Sequence, residues 1–88
     1  MARHALKTLI RVRFNHPEGR WYELEVVQSG IWFEVWTSWG RFYPEDEFGG
    51  ENLRGQFARQ ESAIRAAGEI FVNKEEEGYY IQEREGLL

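Results

Sequence analysis

Two segments near the start of the chain alternate apolar and polar residues with a period of two, and nothing else in the sequence constrains the fold as tightly. Ile10, Val12 and Phe14 alternate with Arg11 and Arg13, and Tyr22, Leu24 and Val26 alternate with Trp21, Glu23 and Glu25. Successive side chains of a strand point to opposite faces, so each segment reads as a strand with one buried face. The turn cluster Asn15-His16-Pro17-Glu18-Gly19 separates them. Ser29-Gly30 fits a two-residue hairpin turn, and a third strand then runs from Ile31 to about Ser38. A sheet with one apolar face needs a cover. The segment from Gln60 to Lys74 supplies it, because Ala63, Ile64, Ala67, Ile70 and Phe71 form one stripe at a 3.6-residue period.

With Ser29-Gly30 as the turn, Val26 is expected opposite Phe33, Leu24 opposite Val35 and Tyr22 opposite Thr37, so the apolar faces coincide. The other face then sets Glu23 across from Trp36 and Glu25 across from Glu34. Two directly opposed carboxylates are unfavourable. The first strand offers relief, with Arg11 beside Glu25 and Arg13 beside Glu23. These two arginines read first as ion-pair partners on the sheet surface and second as phosphate ligands.

Further along, Tyr43 to Gly50 reads as a loop, marked by Pro44, the acidic run Glu45-Asp46-Glu47 and Gly49-Gly50. A fourth strand is expected near residues 52–58, with Leu53 and Phe57 inward and Gly55 at a gap or bulge. Glu61 suits the first helical turn, whereas Arg59 is a poor N-cap. Gly68 within the helix costs about 1 kcal/mol against Ala. Gly78 is an end signal, and Tyr79-Tyr80-Ile81 reads as a short last strand. These boundaries give a domain over 9–81, a tail over 1–8 and a frayed tail over 82–88.

Eighty-eight residues suffice for one domain. A domain this small buries only about 60–65% of the unfolded chain's surface, so its core needs large apolar groups. Four Trp, four Tyr and six Phe meet that need. The absence of Cys excludes disulfides and thiolate metal sites. His4 and His16 have no paired spacing, so neither a metal nor any other cofactor is expected. No apolar run approaches the roughly 18 residues of a membrane span, and the N-terminus lacks the apolar core of a signal peptide. The expected compartment is the cytoplasm, with no membrane partner.

Enzymatic chemistry finds no support in the residues. Ser29, Ser38 and Ser62 lack a nucleophile-elbow context. Glu75-Glu76-Glu77 reads as a solvated charged face, and Gly49-Gly50 is followed by neither Lys-Ser nor Lys-Thr, so a phosphate-cradling loop is not expected. The net charge of −4 is unlike that of a typical nucleic-acid binder. Its distribution is uneven, +2 over residues 1–43 and −6 over residues 44–88, which directs an anion-binding surface to the first half. Trp21, Trp32 and Trp36 share the outer face, as backbone shields or as a contact surface. Trp39 shares the core parity of strand three and reads either as a core-edge residue or as a stacking platform.

Arg20-Trp21-Tyr22-Glu23-Leu24-Glu25-Val26 and Val35-Trp36-Thr37-Ser38-Trp39-Gly40-Arg41, followed by Phe57, a helix with Ala63, Phe71 and Lys74, and Gly78-Tyr79, resemble the WGR domain. The family is named for its Trp-Gly-Arg triplet. It accompanies the catalytic region of DNA-damage-dependent poly(ADP-ribose) polymerases and also occurs in small bacterial proteins. The resemblance implies an α+β fold, a curved antiparallel β-sheet of four to five strands with one α-helix packed on one face. It also implies a non-catalytic module that binds DNA ends or nicks without sequence specificity. On that reading Trp39 stacks at a strand end, Gly40 permits close backbone approach, and Arg41 meets a phosphate or a partner carboxylate. Arg11, Arg13 and Arg20 are the further candidate contacts. This chain departs from the family where Phe42-Tyr43-Pro44-Glu45-Asp46-Glu47 follows the triplet, since three carboxylates there repel DNA within a Debye length of about 8–10 Å. The alternative is a protein-interaction module or homodimer that uses the exposed aromatic sheet face.

Overall fold

The computed structural model of the protein describes residues 7–86. The expected N-terminal tail, with His4, falls outside them except for its last two residues, as do the last two residues of the expected C-terminal tail. The alternating segments form β1 (Lys7–His16) and β2 (Arg20–Ser29), an antiparallel hairpin. β3 (Trp32–Arg41) and β4 (Glu47–Phe57) extend the meander, α1 (Gln60–Glu76) follows, and β5 (Tyr80–Gly86) pairs with β1. The antiparallel sheet has the order β4-β3-β2-β1-β5. The helix therefore carries the chain from one sheet edge to the other, and it covers the apolar face on the way.

Period-two alternation and the helical stripe meet in a single core. Ile10, Val12, Phe14, Leu24, Val26 and Val35 are fully buried together with Ala63 and Ala67. The two alanines let the helix backbone approach the sheet closely, while Ile64, Ile70 and Phe71 pack around the margin. Phe71 meets Phe14 edge-on at 5.3 Å between ring centroids, an arrangement worth about 0.5–1.5 kcal/mol beyond area burial.

The β2–β3 register differs from the expected one by two residues. The turn residues are Gly30 and Ile31, so Ser29 faces Trp32, Val26 faces Val35, Leu24 faces Thr37 and Tyr22 faces Trp39. Gly30 has φ +63° and Ile31 does not have a positive φ, the pattern of a type II′ hairpin turn. A slip of two keeps every side chain on its own face, so the apolar pattern fits both registers equally. In the observed one Glu25 faces Trp36, and the expected clash with Glu34 does not arise. The β1–β2 register matches expectation, with Arg11 opposite Glu25 and Arg13 opposite Glu23.

Further boundaries move, and β3 continues past Ser38 to Arg41, so Trp39-Gly40-Arg41 lies within the strand. β4 starts at Glu47, so Gly49-Gly50 lies in a strand and not in a loop. An irregularity between Val35 and Trp36 leaves Arg54 unpaired, which places Leu53 opposite Trp36 on the outer face, 41% exposed, while Phe57 stays with the core. β5 runs to Gly86, because Glu83 and Glu85 pair with β1 where fraying was expected. The helix ends as Gly78 signals. The Tyr79 amide donates to the Lys74 carbonyl and the Gly78 amide to the Glu75 carbonyl, both at 3.1 Å, which is the Schellman pattern. No helix of the described residues is long and apolar enough to cross a membrane.

Gly68 has open space where a Cβ would stand and lacks a positive φ. Replacing it removes a backbone entropy cost without a clash. Gly68→Ala is expected to stabilise the fold by about 0.5–1 kcal/mol, a rise of several degrees in Tm for a domain of this size, measured by thermal unfolding.

Candidate functional site

The observed register lays Arg20-Trp21-Tyr22 directly against Arg41-Gly40-Trp39. Arg20 and Arg41 thus stand opposite each other on neighbouring strands, a like-charge pairing that is unfavourable by itself. Their ends of β2 and β3, together with the C-terminal turn of the helix and Tyr79, enclose a cleft of about 430 Å³. Lys74 projects into it from the last helical turn. Its ammonium lies 4.2 Å from the Tyr22 ring centroid and 5.5 Å from that of Tyr79. The Arg20 guanidinium lies 5.6 Å from the Tyr79 ring. Three cations and three aromatic rings therefore share one concavity.

Trp39 supplies the third ring. Its indole lies across the backbone of Gly49 and Gly50, where a Cβ at either position would stand 2.7 Å from a ring atom. The two glycines continue the strand as a flat bed for the ring. One side of the indole is packed, and 37% of the residue stays accessible at the cleft. Trp39 thus packs on the strand backbone and stays partly exposed. Gly40 is needed for internal packing: a Cβ there would run into the Glu47 carbonyl and stand 2.7 Å from the Trp21 ring.

Each cleft cation has a carboxylate beside it. Arg41 donates from Nε to Glu47 Oε1 at 3.2 Å, and its Nη2 is ion-paired to the same oxygen. The hydrogen bond from Arg41 to Glu47, then the charges of Glu47 and Glu45, hold the guanidinium pKa above its ordinary value, against slight desolvation. Lys74 Nζ pairs with Glu77 Oε1 at 3.0 Å, and Arg20 Nη2 with Glu18 Oε1 at 3.3 Å. His16 anchors this end of the sheet. Its Nδ1 accepts the Glu18 amide at 3.1 Å, and its Nε2 lies 3.2 Å from the Glu77 carbonyl oxygen. That contact fastens the helix end to the β1–β2 turn.

Of the six residues singled out in the sequence, four meet here: Trp39, Gly40, Arg41 and Arg20. The structure does not bring Arg11 and Arg13 to them, because both occupy the opposite sheet face. Arg11 reaches Glu23 at 3.0 Å, Glu83 at 3.3 Å and Glu85 at 2.9 Å, and these partners hold its pKa above the ordinary value, with Glu85 foremost. The Arg13 guanidinium lies 4.4 Å from the Trp21 ring. Lys74 and Tyr79 were not singled out as site residues. The sequence marks both only through the WGR resemblance, as a basic residue in the last helical turn and a ring just past Gly78.

Because a methyl group at residue 40 must displace the strand β4 backbone or the Trp21 ring, Gly40→Ala is expected to cost about 2 kcal/mol or more. A lowered midpoint in urea unfolding would show it. Gly68→Ala moves the midpoint the other way and serves as a control.

Comparison with known proteins gives one match. The family model described as WGR domain matches residues 7–86, nearly the whole chain. No curated protein and no solved structure compared with the chain matches it.

Proposed function

Because the chain belongs to the WGR domain family, we propose that it is a non-catalytic nucleic-acid-binding module that receives DNA ends or nicks in the cleft. WGR domains are binding domains, and the family is associated with nucleic acid. The observation that carries the reading is the convergence of Arg20, Arg41 and Lys74 on a cleft walled by Trp39, Tyr22 and Tyr79. A half-open indole can take the flat side of a terminal sugar or base, and stacking of this kind is tolerant of sequence. Guanidinium groups fit phosphate oxygens as planar forks. No side chain in this arrangement is required to read a base edge, so binding is independent of sequence.

The carboxylates set the strength. Arg41 must release or share Glu47 before it can hold a phosphate, and Lys74 and Arg20 stand in the same relation to Glu77 and Glu18. Affinity is therefore modest. With at most three phosphates engaged, the plot of log K against log salt has a slope of about −3 or shallower.

In fluorescence anisotropy with a nicked, 5′-phosphorylated duplex, Trp39→Ala and Arg41→Ala are each expected to weaken binding about tenfold. Glu47→Gln is expected to strengthen it a few-fold by freeing the guanidinium. Unchanged affinity in both the Trp39 and Arg41 variants rules the cleft out.

A further inference from the structure

The fifth strand breaks the alternation that its neighbours keep. The β1–β5 register shifts between Arg13 and Phe14, so Glu83 faces Arg13, Ile81 faces Phe14, and Gln82 has no opposite residue on β1. A bulge of this kind re-aims side chains. Here it sends two successive side chains to one face. Glu83 Oε1 accepts from Arg11 Nη1 at 3.3 Å, and Gln82 Oε1 accepts from Asn15 Nδ2 at 3.1 Å. Arg11 and Asn15 both point away from the helix, because Ile10, Val12 and Phe14 take the buried side of β1.

Gln82 and Glu83 line a hollow of about 310 Å³ that Arg13, Asn15 and Phe42 complete. Arg13 lies over the Trp21 ring at 4.4 Å, which orients its fork of donors. It is poorly partnered among the described residues. Its Nη1 stands 3.8 Å from Glu23 Oε2, beyond hydrogen-bond distance, and that oxygen already takes Arg11 Nη2 at 3.0 Å. Its Nε is buried without an acceptor. Arg11 thus draws on Glu23, Glu83 and Glu85, while Arg13 keeps donors to spare.

A ligand here meets a cation, a carboxylate, two amides and a ring. Glu83 repels an oxyanion, and Arg13 repels a cation. A purely apolar group would strand the polar side chains. The set suits a neutral, flat group whose edge carries both donors and acceptors, which describes a nucleobase. Unpaired bases are held in this way, stacked on rings and bonded along their edges. Guanine offers O6 and N7 as two adjacent acceptors for one guanidinium fork.

We infer that the hollow is a recognition site for an unpaired guanine base. Arg13 donates to O6 and N7, Glu83 accepts from the N1 and N2 hydrogens, and Phe42 takes the flat side of the ring. The site lies on the other sheet face from the cleft and recognises the base without its phosphate.

The test titrates the full chain with the four deoxynucleosides, which carry no phosphate, and follows amide and indole signals. Deoxyguanosine is expected to bind about fivefold or more tighter than the other three, the discrimination of one bidentate pair. Its shifts are expected at the Asn15 and Gln82 side-chain amides and the Trp21 indole, with the Trp39 indole and the residue 74–79 amides unmoved. Arg13→Lys keeps the charge, loses the fork, and is expected to remove the preference for guanine. Phe42→Ser, at an exposed position, is expected to weaken deoxyguanosine several-fold with an unchanged unfolding midpoint. A ten-nucleotide thymidine strand with and without one guanine separates a base within a strand from a free nucleoside. Guanine preference in either form supports the site. Equal binding of all four nucleosides and of both strands overturns it, as do shifts centred on the cleft or a guanine preference that survives Arg13→Lys. The nucleoside outcomes do not depend on whether the nicked duplex binds.

Discussion

The indole of Trp21 lies on the bare backbone of Gly40, and that contact fixes how β2 meets β3. A side chain at residue 40 would force the rings or the neighbouring β4 backbone away. With the contact in place, Arg20 stands against Arg41 and Tyr22 against Trp39, so the two strands build the cleft from adjoining residues. Arg13 lies over the same indole at 4.4 Å, an interaction of about 0.5–2 kcal/mol depending on desolvation. Outer-face packing thereby sets inner-face geometry. A slip of two residues would keep the core apolar and dismantle the cleft.

The helix makes the second contribution. Its alanines hold it close to the sheet, its Schellman end turns the chain toward β5, and that turn delivers Lys74 and Tyr79 to the cleft. His16 ties the same end to the first hairpin turn. The helix end that carries Lys74 is thus tied both by its own cap and by His16. The carboxylate partners of the cleft cations are on exposed side chains, and exposed ion pairs are individually weak.

Charge is sorted by face and not by position in the chain. Glu23, Glu25 and Glu34 belong to the half of the sequence with a positive balance, yet they share one sheet face with Glu51, Glu83 and Glu85. Lys74 belongs to the acidic half and lies among the cations. A strand sends neighbouring residues to opposite faces, so running sums of charge along the chain mix two surfaces.

Much of the fold was legible from period alone. Ile10, Val12 and Phe14, Tyr22, Leu24 and Val26, and the Ala63–Phe71 stripe determined a half-buried antiparallel sheet, one helix and one core, because burial repeats at intervals that sequence displays directly. The pairing of Arg11 and Arg13 with β2 followed from the same parity. Tertiary structure decided the register of β3, since parity is blind to a shift of two. It decided that Gly49-Gly50 forms a bed for Trp39, that β5 continues to Gly86, and that Lys74 joins Arg20 and Arg41. Each of these depends on contacts between residues far apart in the chain, and such contacts leave no local periodicity to read.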